Sequence, residues 1–441
     1  MRLVLVMGAT ILIFASQCHA QDWWKDLRDD CKQPLTSHTG IACIVDFFND
    51  KPGHLTVRSL VPGTSVAGGL TFNQDFSRGG RLLGLTGSGV HSTTGAWGVN
   101  GAFTFEPTKH GCVGTLCVDD VFNIEIYGNL SEMHPLDYYG LGPATPNTAF
   151  SYGLRESVGG IQASIPFASW GHYVSVVENR NPRVMSGSDL LSATSNYLGT
   201  NAPGLDQLVS FMSYSNSVKL HHLESQTATL GYDYFQDLNQ GHYSFGQLSI
   251  KGEFVCSSLP LSTKGGTRSR GWCKDGEIRF CDCGRVTLRV DFKSSQVAAG
   301  HAIPFYYLPT LGGSDINNVV TLRGYPNYRF SGPDRVLYQF DYDYMLSSVF
   351  RARSRAAPAK RRISTLRQIG EALWGAAGIL GFYDAGTVGA STVDLGFGHL
   401  RQDAGVGVEL RAANKVFVQG YLAWGAGGTS PRVGYQLMKL F

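Results

Sequence analysis

The loop sequence around Arg323 is the clearest candidate for a chemically important site, and it reads Leu322, Arg323, Gly324, Tyr325. A glycine beside the arginine allows a tight turn that side chains would block. A guanidinium that a loop carries into a partly desolvated interior needs a carboxylate partner. The candidate partners are Asp341, Asp343 and Asp384. We therefore expect a buried ion pair at this site.

Cysteines form the second group of candidates. Eight follow the first twenty residues, in three local sets: Cys31 and Cys43; Cys112 and Cys117; Cys256, Cys273, Cys281 and Cys283. An even number in close pairs predicts disulfides in an oxidising compartment. The last four allow three pairings, which the sequence leaves open. They also permit a zinc site, but the single residue between Cys281 and Cys283 is shorter than the usual spacing of zinc ligands.

The sequence does not predict an enzyme. Ser and His are plentiful, including His221 and His222, but no Gly-x-Ser-x-Gly elbow or other nucleophile setting is present. We expect no catalytic residue, no cofactor and no bound metal.

The composition indicates a membrane β-barrel. Charged residues make up 16% of the chain, against roughly 25% in soluble domains, and 55 of the 441 residues are glycine. The net charge of +3 gives no strong field for nucleic acid. No apolar run after the N-terminus is long enough for a transmembrane helix. Strands that combine apolar with polar residues account for these features together.

Alternating residues predict the strands. Val286, Leu288 and Val290 alternate with charged or polar neighbours, and the segment from Val336 to Tyr344 does the same. A membrane barrel needs one face for lipid and one for a polar lumen. We therefore predict an all-β fold, a transmembrane antiparallel β-barrel. Asp341 and Asp343 lie on the polar face of their segment.

The two ends of the chain agree with export to an outer membrane. Arg2, the apolar stretch from Leu3 to Ala15 and the end at Ala20 predict a signal peptide over residues 1–20. An uncleaved anchor and a lipoprotein signal are less favoured alternatives. The last strand resembles the C-terminal insertion signal of outer-membrane barrels, through Val433, Tyr435, Leu437 and Phe441, although Lys439 interrupts the pattern.

Four motifs in order resemble the bacterial surface antigen family, the barrel domain shared by BamA, TamA and the two-partner secretion transporters. They are Tyr138 to Pro143, the Arg323 loop, the segment Gly381 to Gly386, and the segment Gly405 to Arg411. The resemblance covers about residues 120 to 441. It implies sixteen strands, an extracellular loop that folds back into the lumen, and a pair between Arg323 and Asp384.

The domain organisation follows from this resemblance. We expect the barrel to occupy residues 64–441, with a first strand from Thr64 to Gln74. Residues 21–63, with Cys31 and Cys43, form a short periplasmic segment, too short for a POTRA domain of roughly 75 residues. The absence of that domain puts the assembly role of the larger relatives in doubt for this chain.

Residues 351–374 are predicted to form a long basic insertion on the periplasmic side. Hydrophobic residues at helical spacing accompany the charges. A solvated turn and a docking helix for an acidic partner or for lipid head groups both remain open. The basic residues of the proposed docking surface are Arg351, Arg353, Arg355, Lys360, Arg361 and Arg362.

The sequence allows two functions. The resemblance implies assembly, insertion or translocation of protein or lipid at the outer membrane of a Gram-negative-type bacterium. The alternative is a plugged passive pore or a structural barrel. In either case we expect outer-membrane lipid as a partner and no nucleic acid. A separate periplasmic or secreted protein partner, docking at the basic insertion, would favour the first function.

Overall fold

A computed structural model describes most of the chain from residue 53 onward. The described residues are 53–61, 66–78, 81–107, 112–113, 116–117, 122–145, 147, 149–168, 170–185, 202–205, 207–222, 226–257, 284–317, 319–345, 377–412, 415–425 and 431–437. The predicted signal peptide and basic insertion lie outside these ranges, as do Phe441 and five of the cysteines: Cys31, Cys43, Cys273, Cys281 and Cys283.

Sixteen strands form one antiparallel sheet in which neighbours along the chain are neighbours in space. The strands are β1 (Gly53–Ser59), β2 (Val66–Arg78), β3 (Arg81–Ser92), β4 (Trp97–Pro107), β5 (Cys112–Val113), β6 (Leu116–Cys117), β7 (Asn123–Tyr138), β8 (Phe150–Ala168), β9 (Gly171–Met185), β10 (Phe211–His222), β11 (Gln226–Asp237), β12 (Phe245–Ser257), β13 (Gly284–Val297), β14 (Thr310–Leu311), β15 (Phe330–Ser331), β16 (Asp334–Met345), β17 (Ala377–Gly389), β18 (Arg401–Ala412), β19 (Lys415–Gly425) and β20 (Arg432–Leu437). The pairs β5–β6 and β14–β15 form separate small ladders. The predicted fold class and strand number are confirmed.

The barrel begins earlier than the sequence predicted. Strand β1 covers Gly53–Ser59, ahead of the expected start at Thr64, and pairs with β2 along its whole length. With only seven residues it has too few alternating positions to be recognised from pattern alone. Its other edge faces β20, at the opposite end of the sheet order, and the two strands contact each other.

The two faces of the sheet differ as expected for a membrane barrel. In β13, Leu288 and Val290 are exposed on the outside, while Thr287 and Asp291 are buried in the lumen. Strand β16 buries Asp341 and Asp343 on the same inner side. The alternation therefore separates a lipid-facing surface from a lumen filled with paired polar groups.

Glycines on the inner face make room for aromatic rings on adjacent strands. A Cβ at Gly405 would lie 2.3 Å from the ring of Phe382, the residue directly opposite it. A Cβ at Gly434 would be equally close to the ring of Tyr421, again its direct partner. These cross-strand pairs account for part of the high glycine content, since any larger residue would push the ring away.

The connection between β13 and β16 folds into the barrel. It contains the 3-10 helix Phe305–Tyr307 and the β14–β15 ladder. Its aromatic residues pack against the strand ends that lie opposite the chain termini, in a cluster that includes Leu136, Tyr138, Leu154, Phe211, Phe245, Phe305, Tyr306 and Tyr328. The expected lumen loop is therefore present, and an apolar core fixes it at one end of the barrel.

The even number of strands determines which connections share an end of the barrel. Strand β1 starts, and strand β20 finishes, at the same end. Strands β12 and β16 finish, and strands β13 and β17 start, at that end too. The lumen loop enters from the opposite end. The periplasmic sidedness of the basic insertion stays a prediction, and its residues lie outside the described ranges.

Candidate functional site

Arg323 lies in the lumen between two strands of the barrel wall and is 2% exposed. Its Nε donates to Asp384 Oδ2 at 2.7 Å, and one terminal nitrogen donates to Asp384 Oδ1, also at 2.7 Å. The same nitrogen donates to Asp341 Oδ1 at 2.5 Å. A planar guanidinium can serve two carboxylates in this way because its donors form a fixed fork. The family resemblance predicted that Arg323 pairs with Asp384, and the two side chains are in direct contact.

Other groups complete the surroundings of the guanidinium. The Phe382 ring lies under it, with its centroid 3.7 Å from Cζ. Gln339 Nε2 donates to Asp384 Oδ1 at 3.2 Å and to the Thr321 carbonyl at 3.1 Å. Burial by itself lowers the pKa of Arg323, but Asp384 and Asp341 more than reverse this and raise its pKa above the ordinary value. The arginine is therefore held permanently charged.

Asp341 links this site to a second arginine. Its other oxygen accepts from Arg289 at 2.6 Å, and Arg289 Nε donates to Glu253 at 2.8 Å. Asp343 is also buried on the lumen face but lies opposite Arg285 in the β13–β16 ladder. Of the three predicted carboxylates, the structure brings Asp384 and Asp341 to Arg323. Asp343 lies two residues further along β16 and does not contact Arg323.

Gly324 is required by close approach to the wall. The turn from Leu322 to Tyr325 is closed by a bond of 3.2 Å from the Tyr325 amide to the Leu322 carbonyl. Gly324 is not among the glycines with positive φ. A Cβ there would lie 2.7 Å from both Asp403 Cβ and the Gly425 nitrogen. Turn geometry alone therefore does not explain Gly324, because the decisive contact comes from β18 and β19.

Asp403 is a site residue that the sequence analysis missed. It lies directly opposite Asp384 in the β17–β18 ladder and is 3% exposed. Neither of its carboxylate oxygens has a hydrogen-bond partner among the described residues. Its polar neighbours are the Gly324 amide and Asp384. The available signal was its position on the inward face, two residues before the Gly405 motif.

The lumen loop has a second anchor on the far wall. Tyr307 Oη donates to Glu156 Oε1 at 2.8 Å, and Arg180 donates to the same oxygen at 3.1 Å. Arg180 Nε also donates to Glu178 at 2.7 Å. Burial and the neighbouring Glu156 hold the pKa of Tyr307 above its ordinary value. These contacts join the loop to β8 and β9.

A third set of contacts holds the base of the loop. Arg335 is 1% exposed, and its terminal nitrogens donate to Asp291 at 2.5 Å and to the Thr310 carbonyl at 2.9 Å. It also lies 3.6 Å from Asp315, a residue of the loop itself. The predicted motif Tyr138 to Pro143 packs here too, since the Gly142 amide donates to the Ser331 carbonyl at 2.7 Å. The loop is therefore tied to the wall on several sides.

The other residues that the sequence singled out either lie on the outer face or have side chains that the structure does not describe. In β20, Val433 and Tyr435 are 75% and 42% exposed, and Leu437 is the last residue of the strand. Cys112 and Cys117 are directly opposite each other in the β5–β6 ladder, and Cys256 lies in β12, but nothing is described of these three side chains.

The described residues contain no group of three or more His, Cys, Asp or Glu residues that could hold a metal ion. Among the same residues, no helix is long and apolar enough to cross a membrane.

The fold and the lumen site define a sixteen-stranded transmembrane β-barrel whose pore is occupied by its own loop. The chain is similar to BamA from Haemophilus ducreyi lacking POTRA domains 1–3, with 13% identity, a TM-score of 0.49 and coverage of 93% of this chain and 80% of that one. It is similar to CdiB from Escherichia coli, with 11% identity, a TM-score of 0.45 and coverage of 88% and 63%. For CdiB from Acinetobacter baumannii the values are 8%, 0.42, 86% and 57%.

These likenesses concern the fold. The chain spans less than two thirds of either CdiB structure. No family model and no curated protein matches the sequence.

Proposed function

We propose that this protein assembles or translocates other proteins at the outer membrane, and that its substrates engage the seam between β1 and β20. The observation that carries the proposal is that no ladder joins these two strands among the described residues. Every neighbouring pair in the sheet order is joined by a ladder of hydrogen bonds, whereas β1 and β20 contact each other with no ladder among the described residues.

The chemistry of an open seam favours a protein substrate over a lipid. Unpaired strand edges present backbone N–H and C=O groups in a row. An extended segment of another chain satisfies these groups by adding a strand. A lipid acyl chain offers no such partners. A strand of the substrate therefore stabilises the open seam in a way that lipid does not.

The lumen loop bears on the alternative, a plugged passive pore. Arg323, Tyr307 and Arg335 hold the loop to different parts of the wall. This arrangement closes the lumen without requiring any event at the seam. A passive barrel gains nothing from two edge strands that are joined by no ladder among the described residues, and for this reason we favour the first function.

Photo-crosslinking in living cells tests the proposal. A photoreactive amino acid replaces Leu55 in β1 or Val433 in β20, which are 44% and 75% exposed. The matched control is Leu230 in β11, which is 52% exposed on the same outer face. We expect pulse-labelled, newly made envelope proteins to crosslink at the two seam positions and not at Leu230. Equal crosslinking at all three positions, or none at the seam, would support the passive barrel instead.

A further inference from the structure

A row of side chains crosses four neighbouring strands, β4, β7, β8 and β9, near the end of the barrel opposite to the one where β1 starts and β20 finishes. Trp97 lies directly opposite Glu132, Glu132 opposite Arg155, and Arg155 opposite Arg183. Two arginines are therefore direct cross-strand neighbours. Like charges in such positions destabilise a sheet unless another group compensates them.

The two arginines lie on the outer face of the barrel. Along β8 and β9 they alternate with Glu156 and Arg180, which pair with each other inside the lumen at 3.1 Å. The exposed Val177 lies on the same side of β9 as Arg183. The guanidiniums of Arg155 and Arg183 therefore face the membrane and not the pore.

Glu132 compensates only one of the two charges. Its Oε2 accepts from Arg155 Nε at 2.9 Å, from one terminal nitrogen of Arg155 at 2.6 Å and from Trp97 Nε1 at 3.2 Å. Arg183 is exposed, and its side chain makes no hydrogen bond or ion pair with the described residues. The row thus offers one carboxylate to two guanidiniums, and an anion beside Arg183 would relieve their repulsion.

The arginines lie at the depth of the lipid head groups. Phe167 and Trp170 form an exposed aromatic pair at the other end of β8 and β9, where an aromatic girdle marks the edge of the apolar band. Arg155 is twelve residues from Phe167 along β8. Twelve residues of a strand tilted by about 40° rise about 30 Å, against ~25 Å for the apolar band. The guanidiniums therefore lie just beyond the hydrocarbon.

We propose that Arg155 and Arg183 bind a phosphate of a lipid head group, in the leaflet at this end of the barrel. The donors of an arginine form a fork that matches the oxygens of a phosphate. Glu132 leaves one terminal nitrogen of Arg155 without an acceptor among the described residues. Ser157 and Asn181, directly opposite each other and two positions closer to the apolar band, add neutral donors. We call Arg155, Ser157, Asn181 and Arg183 the rim site.

The surroundings of the rim site favour a lipid over a soluble anion. Ile161 and Val177 lie directly opposite each other on the membrane side of the site, and both are exposed. An acyl chain joined to the bound phosphate packs against this apolar pair. Inorganic phosphate has only its charge to bind with, and salt screens charge at an exposed site. A phosphate that belongs to a lipid is therefore the occupant that fits both parts of this surface.

Native mass spectrometry of the purified protein tests the proposal. The protein is held in micelles of a maltoside detergent, which contains no phosphate, and is titrated with lipid A, a glycolipid that carries phosphate groups. We expect the wild type to form a one-to-one complex, and Arg183→Gln to raise its Kd at least tenfold. The matched control is Arg401→Gln, which removes an arginine exposed at the same end of the barrel, in β18, and should bind lipid A like the wild type.

A second variant tests the repulsion between the two arginines. Arg183→Glu places a carboxylate opposite Arg155, so the chain itself supplies the missing anion. In the phosphate-free micelles this variant should unfold at a higher urea concentration than the wild type, yet form no complex with lipid A. A midpoint equal to or below that of the wild type would show that the arginine pair needs no anion, and would overturn the proposal.

The remaining outcomes also decide against the rim site as a lipid phosphate site. Wild-type affinity in Arg183→Gln would place the bound lipid elsewhere on the barrel. Equal binding of lipid A from which the phosphates have been removed would show that the acyl chains alone are recognised. Displacement of lipid A by an equal concentration of inorganic phosphate would assign the site to a soluble anion. Heat-modifiable migration on gels confirms that each variant is folded before the comparison.

Discussion

Arg323 is stabilised by a network that no single strand could supply. Asp384 comes from β17, Asp341 from β16, and the ring beneath the guanidinium from Phe382. Removing one partner leaves the other charge buried and unpaired, which costs about 3–5 kcal/mol, against at most ~1 kcal/mol for a solvated pair. The position of Arg323 in the lumen can therefore be tested by substitution.

We expect Arg323→Ala and Asp384→Ala each to destabilise the folded barrel strongly. Because both remove the same interaction, the double variant should be less damaging than the sum of the two singles. Urea denaturation followed by heat-modifiability measures all three, and Gln402→Ala, exposed on the outer face of β18, serves as the control. Additive effects in the double variant would show that the two residues act independently.

A second substitution tests the close contact at the loop tip. Gly324→Ala places a methyl group 2.7 Å from Asp403 Cβ and from the Gly425 backbone, so the tip must move off the wall. Overpacking of this kind typically costs ~1–3 kcal/mol. The control is Gly420→Ala in β19, where an added Cβ meets nothing within 4 Å. If both variants unfold at the same urea concentration, Gly324 is not packed against β18 and β19.

Two further predictions concern single segments near the end of the barrel at which β1 starts and β20 finishes. The β5–β6 ladder sets Cys112 opposite Cys117. We expect disulfides Cys112–Cys117 and Cys31–Cys43, because both pairs close short loops in an exported chain. Intact-mass measurement after alkylation without reductant checks this. Labelling of these four thiols would contradict it.

The second of these predictions concerns the basic insertion, residues 351–374. We propose that Arg351, Arg353, Arg355, Lys360, Arg361 and Arg362 supply a docking surface for a separate periplasmic or secreted protein. The strands that flank the insertion end on the side of the chain termini. A cysteine placed at position 359 should therefore resist an impermeant thiol reagent in intact cells and react after the outer membrane is permeabilised. The control is position 393, since Val393 is 87% exposed in the connection at the opposite end.

The molecule as a whole is a barrel braced across its lumen. The loop is bonded to β16 and β17 through Arg323 and to β8 through Tyr307. Two anchors on different walls hold the loop more firmly than either alone. The conductance of the pore should therefore depend on both.

We expect the wild type to show low conductance in planar bilayers, because the loop fills the pore. Arg323→Ala and Tyr307→Phe should each give brief openings, and the combined variant should give frequent or sustained ones, since loss of one anchor lowers the cost of releasing the other. Tyr342→Phe, on the outer face, is the control. A combined variant as silent as the wild type would show that the loop stays in place without these anchors.

The sequence by itself determined the class of fold. Alternation of side chains is a local property, so residues such as Val286 and Leu288 could be assigned to the lipid face before any strand pairing was known. The resemblance in short motifs likewise allowed Asp384 to be placed in the lumen as the partner of Arg323. The short strand β1 was missed, because seven residues offer too few alternating positions.

Only the tertiary structure decided which residues meet across strands. Asp403 contributes to the site because the register of β17 and β18 sets it opposite Asp384, and Glu156 meets Tyr307 across 151 residues of chain. Registers and loop paths depend on contacts between distant segments, and local side-chain patterns do not encode those contacts.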